Sequence, residues 1–212
     1  LILSKKNNFR VSTARFANVA FSNGSLLDGF IYRLNKKQPL SCPSDIKRFF
    51  VTIEQSGQIC LLATFLEDTG NIFFPKLDFH KDQIYFKDIA LDFLKENGFE
   101  PVFVNSEEEA KAFDIERNPG KYPIYFFKTD TSGEKTYEEF YTEDEDYNVD
   151  EYDSLGYIKT LEESISFEDV KTDFDKVFDN PNSTKADIVL VIKKYVPDFE
   201  HIETGKHLDQ KM

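Results

Sequence analysis

Residues 15–27 read RFANVAFSNGSLL. The run before and into them, FRVSTARF, is of β type, with Phe9, Val11 and Thr13 alternating along it. Behind them Leu27, Phe30, Ile31 and Leu34 fall on one helical stripe, and Ser25 stands where an N-cap belongs. Strand, polar turn and helix in that order make one α/β unit. Its turn carries interest because open α/β sheets place ligands beyond the carboxyl ends of strands, where a helix N-terminus offers N–H groups and a favourable dipole to an anion. Arg15, Asn18, Ser22, Gly24 and Ser25 are therefore candidate contacts for a phosphate or a sugar hydroxyl. The plainer reading is that Arg15 and Asn18 satisfy local carbonyls and Ser25 only caps.

The alternation continues outward. After QPLSCPSD, whose two prolines forbid a regular helix, KRFFVT reads as a short strand. Thr52 and Gln55 have capping-box spacing, which predicts a helix over Ile53–Leu66. NIFFPK is a strand, and YFKDIALDFLKENG is a helix with Phe86, Ile89, Ala90, Phe93 and Leu94 on one face and Gly98 as its stop. PVFV and YPIYFFKT are strands, separated by a short helix that Ser106 and Glu109 open, and the turn TSGEK follows. Such β-α-β alternation, persisting to about residue 130, predicts an α/β fold.

Composition then shifts. Residues 138–153 carry nine acids and no base, the mark of a solvated surface segment. Beyond it two helices are expected, one capped at Ser166 with Phe167, Val170, Phe174, Val177 and Phe178 inward, the other carrying Ile188, Val191, Ile192 and Tyr195. The expected organisation is residues 1–70 as strands and helices bearing binding turns, 71–160 as an α/β lobe, and 161–212 as a helical tail.

The chain has 212 residues, of which 22 are Phe and none is Trp, so aromatic rings must fill much of the core. No apolar run approaches the roughly 18 residues a membrane helix needs. A formal charge of −13 repels nucleic acid and anionic lipid, and a phosphate-bearing ligand needs a few cations to converge locally. Arg48, in KRFF, is a candidate clamp for a diphosphate or else an ordinary surface residue of a strand. In TSGEK, Gly133 permits a tight turn, Glu134 suits a ribose diol and Lys135 a phosphate; the alternative is a surface turn. Cys42 and Cys60 lack metal or redox spacing, and free thiols in a cytoplasmic protein are expected. His201, Glu203 and His207 fit no standard metal motif. Neither GxSxG, GxGxxG nor GxxxxGK occurs.

Together RFANVAFSNGSLL, QPLSCPSDIKRFFVT, EQSGQICLLA and TSGEKTYEEFYTEDE resemble the C-terminal half of an extended short-chain dehydrogenase/reductase. More narrowly they resemble nucleotide-sugar 4,6-dehydratases of the UDP-N-acetylglucosamine type, over about residues 9–160. The resemblance implies the C-terminal part of a Rossmann-like fold with a substrate-binding lobe and C-terminal helices. It implies that Asn18 contacts the nucleotide-sugar, that Ser22, Gly24, Ser25 and Leu26 wrap the diphosphate end, and that Arg48 binds the diphosphate. Gly133, Glu134 and Lys135 match a nucleoside-binding turn whose usual Arg-Pro is replaced by Thr131 and Ser132. Arg15 and Val19 fall where the cofactor lies.

The implied reaction is oxidation at the sugar C4 by NAD or NADP, loss of water across C5 and C6, and return of the hydride to C6. Catalytic residues, including the family's Tyr-x-x-x-Lys pair and its dinucleotide loop, are expected upstream of Leu1. The intact enzyme is expected to be a cytoplasmic homo-oligomer serving surface polysaccharide or glycan synthesis. A nucleotide-sugar 4-epimerase or reductase of the same superfamily is the alternative, and a non-catalytic nucleotide-sugar-binding module is another.

Overall fold

The computed structural model describes residues 11–66, 70–130, 136–160, 165–197, 199 and 201. Their first half holds strands β1 (Thr13–Ala14) and β2 (Asn18–Val19), helix α1 (Leu26–Asn35), strands β3 (Leu40–Pro43), β4 (Lys47–Arg48) and β5 (Phe50–Val51), helix α2 (Ile53–Phe65), strands β6 (Asn71–Pro75) and β7 (Ile84–Tyr85), and helix α3 (Phe86–Glu96). Strand β8 (Glu100–Val104), helix α4 (Glu107–Ala112), strands β9 (Lys121–Phe127), β10 (Tyr147–Asn148) and β11 (Leu155–Lys159), and helices α5 (Phe167–Phe178) and α6 (Lys185–Tyr195) complete it. The architecture is α/β, with parallel sheets and helices, as a fragment of a Rossmann-like fold requires.

Local chemistry sets the helix ends. The Ser25 hydroxyl accepts from the Asp28 N–H, and Thr52 and Gln55 form the complete capping box. At the end of α3, Gly98 takes φ +80° while its N–H and that of Phe99 donate back to the carbonyls of Lys95 and Leu94. This is a Schellman stop, for which a side-chain-free residue is favoured. Ser106 caps α4 through the Glu109 N–H, whereas the Glu109 carboxylate reaches past the cap to the Asn105 N–H.

One sheet is wholly parallel, in the order β3-β9-β8, with Leu40 opposite Ile124 and Phe103 opposite the same residue from the other side. Pro43 is tolerated because β3 is the edge strand. Helices α1 and α3 pack on this sheet, and Leu27, Phe30, Leu40, Cys42, Ala90, Leu94, Tyr122 and Ile124 form its core. The predicted stripe of α3 is the buried one, with Ala90 and Leu94 fully enclosed and Phe86, Ile89 and Phe93 packed against them. On α1 the stripe is rotated: Leu26 packs inward and Ile31 is 40% exposed.

A second sheet, in the order β1-β6-β11-β10, is mixed. β1 runs parallel to β6, while β11 runs antiparallel to both β6 and β10. Gly156 faces Phe74 across β6 and β11, and a Cβ there would stand 2.5 Å from the ring, so only glycine fits without displacing it. Helix α2 covers one side of this sheet through Ile59 and Ala63, which meet Phe73, Leu155 and Tyr157.

KRFFVT, expected as one strand, is broken in two. Lys47 and Arg48 pair antiparallel with β7, whereas Phe50 and Val51 pair parallel with β2. Phe49 lies at the break and turns inward, only 2% exposed. The acidic segment meets it there, because Phe140 is 6% exposed and stacks on Phe49 at 4.9 Å and on Phe74 at 6.0 Å. The expectation of a solvated segment over 138–153 therefore needs correction: most of the charges face water, but Glu138 and Glu145 pair with arginines, Phe140 is core and β10 is a sheet strand. Two charged flanks do not keep an aromatic ring in water when a ring-lined site is available.

Helices α5 and α6 pack on each other, tied by the Asp173 carboxylate, which accepts from Lys176, Lys194 and Tyr195. The Phe174 and Phe178 rings stack, yet no residue of α5 is fully buried and Phe178 is 66% exposed. Ser166 makes no side-chain cap bond, contrary to expectation.

Phe140→Ala removes a buried ring from between two others and is expected to cost about 3 kcal/mol of unfolding free energy by urea titration. A loss below about 0.5 kcal/mol, the range of an exposed position, contradicts the anchoring role. Cys42 is buried and its thiol is pushed up to about 12 by that burial, whereas Cys60 is exposed. A thiol reagent such as DTNB is expected to titrate Cys60 alone in the native state and both thiols after unfolding; rapid native labelling of Cys42 contradicts the packing.

Candidate functional site

Strand β2 ends at the turn that carries most of the candidates. Asn18 enters the parallel ladder with β5, its N–H donating to the Phe49 carbonyl at 3.1 Å. Its side-chain Nδ2 donates to the same carbonyl and to Glu138 Oε2, each at 3.3 Å. Arg48, whose side chain is 14% exposed, reaches the same oxygen: Nε to Glu138 Oε2 is 3.3 Å. One carboxylate oxygen thus joins the two residues that the sequence singles out from separate strands. An Arg–Glu pair with one partner half-exposed is worth on the order of 1 kcal/mol or less.

Glu138 is held from behind. Gln83 donates Nε2 to its carbonyl at 3.1 Å and accepts its N–H at 3.4 Å, and Phe140 is locked into the core two residues on. Arg48 also donates Nη1 to the Lys47 carbonyl at 2.9 Å, and the Lys47 N–H donates to the Thr136 carbonyl at 3.1 Å. Gly133, Glu134 and Lys135 lie outside the described residues. The residues flanking that stretch are tied beside β4, Thr136 to Lys47 and Thr129 to the Asp45 carboxylate.

The turn before α1 closes on itself. Phe21 adopts φ 57°, a left-handed conformation uncommon for an aromatic residue, and the Ser22 N–H donates to the Val19 carbonyl. Asp28 accepts from the Gly24 N–H at 3.1 Å, while its own N–H is capped by Ser25. Leu26 begins the helix and packs on the core of the parallel sheet. Ser22, Gly24, Ser25 and Leu26 therefore shape the turn, with Asp28 already supplying an anion to the helix start.

Arg15 belongs to a separate ion pair. Both of its terminal nitrogens reach Glu145, at 3.1 and 3.2 Å, and Nη1 also donates to the Phe140 carbonyl at 2.7 Å. Burial alone would push the Glu145 carboxyl up, but hydrogen bonds from Arg15 and the Thr142 N–H outweigh it and hold the group below the usual carboxylate range. Val19 is half-buried against the Phe49 cluster, with its backbone paired to Val51. A cleft of about 460 Å³ opens between α2 and the end of β6, lined by Gln55, Gln58, Leu62, Lys76, Asp153 and others. Asn18 and Arg48 are not among its lining residues.

Glu138, Gln83 and Glu145 are contacts that sequence reasoning missed. Their signal was weak, since each is one polar residue among many. The better clue was Phe140 and Tyr141 inside a run of acids, which marks the point where the segment must turn inward.

The sequence profile of the family described as "Polysaccharide biosynthesis protein" matches residues 2–160. The chain belongs to that family. An "Uncharacterized membrane protein MJ1061" of Methanocaldococcus jannaschii is 27% identical over 151 residues, covering 71% of this chain and 40% of that protein. The chain thus spans well under half the length of this curated relative. Among solved structures, "X-ray structure of Pen from Bacillus thuringiensis" superposes with a TM-score of 0.55 at 18% identity, over 81% of this chain and 52% of that one. That likeness speaks to the fold. No helix among the described residues is long and apolar enough to cross a membrane.

Proposed function

We propose that this chain supplies the nucleotide-sugar-binding part of an enzyme of polysaccharide biosynthesis, a 4,6-dehydratase acting on a UDP-N-acetylglucosamine-like sugar. The observation that carries the reading is the meeting of Arg48 and Asn18 at one acceptor oxygen. In a chain of net charge −13, a mostly buried guanidinium beside a strand-end amide is a local exception, and an anion recruited by the protein already sits there. A diphosphate oxygen matches a guanidinium in the same way and is placed alongside the Glu138 carboxylate, which stays on Asn18.

Arg48 is assigned to the diphosphate, and Asn18, one strand over, to the sugar or its linkage. Ser22, Gly24, Ser25 and Leu26 are assigned to the wall along which the diphosphate end lies, and Gly133, Glu134 and Lys135 to the nucleoside. Gripping the nucleotide, remote from the reacting carbon atoms, provides binding energy that orients the sugar ring for reaction.

NAD or NADP supplies the hydride transfer in such an enzyme. Of the two residues assigned to the cofactor side, Arg15 pairs with Glu145 and the Phe140 carbonyl, and Val19 pairs through its backbone with Val51.

Calorimetric titration of the chain with UDP and with UDP-N-acetylglucosamine tests the reading. Both are expected to bind, and Arg48→Ala is expected to weaken both by about 2 kcal/mol, roughly 30-fold, as loss of a largely desolvated charge contact does. Equal affinities for Arg48→Ala and wild type, or no binding to wild type, rule the proposal out.

A further inference from the structure

Asn18 has two amide hydrogens and one amide oxygen to offer. Both hydrogens have acceptors on the protein, the Phe49 carbonyl and Glu138 Oε2, each at 3.3 Å. Those two acceptors also fix which end of the amide is which. Turning the group over would set Oδ1 against a carbonyl oxygen and a carboxylate oxygen, with no hydrogen between them, so the opposite orientation is repulsive on both sides. Asn18 lies exposed at the strand end, and its Oδ1 accepts from no described residue.

We infer that Glu138 is a positioning residue that sets Asn18 to present its carbonyl oxygen, so that Asn18 selects a hydrogen-bond donor on the sugar, a ring hydroxyl, in place of a phosphate oxygen. This rests on the nucleotide-sugar reading above and divides its labour. Arg48 meets the negative charge. Asn18, with its donors spent on the protein, repels a phosphate oxygen and welcomes an O–H. Discrimination of this kind is strong, because a ligand that offers no donor leaves the polar oxygen unpaired at the contact.

Glu138 suits the task because its own position does not depend on the ligand. Its backbone is clamped at both polar atoms by the Gln83 amide, and the Phe140 ring anchors the chain two residues later. The carboxylate is also an acceptor only, so it holds the Asn18 amide in one sense.

The test is the ratio of affinities for UDP-N-acetylglucosamine and for UDP, measured by calorimetry on the chain. Glu138→Ala frees the Asn18 amide to rotate. It is expected to weaken UDP-N-acetylglucosamine about five- to tenfold, the worth of one hydrogen bond, while UDP binds unchanged or more tightly for want of a competing anion beside Arg48. Glu138→Gln keeps an acceptor oxygen in place and is expected to restore the ratio to within about twofold of wild type. Asn18→Ala is expected to match Glu138→Ala, and the double variant to be no worse than either single one, as members of one chain of contacts behave. Retained UDP binding reports that each variant is folded at the site. A ratio unchanged in Glu138→Ala overturns the inference, as does a parallel loss for both ligands. Wild-type chain that binds neither ligand brings down the nucleotide-sugar reading itself, and this inference with it.

Discussion

The ring of Phe140, held between Phe49 and Phe74, is the constraint on which the rest of the site depends. It holds a strongly acidic stretch against the rings of Phe49, at the break between β4 and β5, and of Phe74 on β6. Once it is seated, geometry leaves little choice to its neighbours. Glu138 arrives beside Arg48 and Asn18, the Phe140 carbonyl and Glu145 arrive beside Arg15, and β10 adds to the sheet edge at β11. Apolar burial thus does the placing, and the charges pair where the ring has put them, which is the usual order of magnitudes: a buried Phe is worth several times a half-exposed ion pair.

On the proposed function, the pairing answers the electrostatic problem that an acidic chain poses to a phosphate-bearing ligand. Most of its acids face water, where salt screens them. Arg48 is mostly buried and pairs with a Glu138 carboxylate oxygen, a weak bond that helps to orient the guanidinium and offsets the penalty of burying its charge. Arg15 sits in a bidentate pair with Glu145 reinforced by a carbonyl, and that arrangement holds the acidic segment in place. Two arginines that look alike in the sequence differ in what surrounds them.

Much of the fold was legible from spacing. The Thr52–Gln55 box, the Ser25 cap, the inward face of α3 and the Gly98 stop are local devices, decided within one or two helical turns, and the structure shows each of them. What could not be read was decided at a distance. The split of KRFFVT depends on which strands lie beside Arg48 and Phe50, and those are β7 and β2, far apart in sequence. The mixed sheet follows from β11 returning antiparallel to β6, a pairing across eighty residues for which no local periodicity exists. At the site, Asn18 and Arg48 were visible as polar residues at strand ends, but Glu138 was hidden among similar acids, since only tertiary packing tells one carboxylate from eight others.

Membership of the polysaccharide biosynthesis family and the α/β architecture are the ground on which the proposed nucleotide-sugar site stands. The most direct measurement is a titration of the chain with UDP-N-acetylglucosamine followed by nitrogen–proton correlation of the Arg48 Nε–H and the Asn18 side-chain amide. Both resonances are expected to shift together, with one common dissociation constant, because both side chains border the same ligand. An Arg48 signal that stays fixed at saturating ligand contradicts the account.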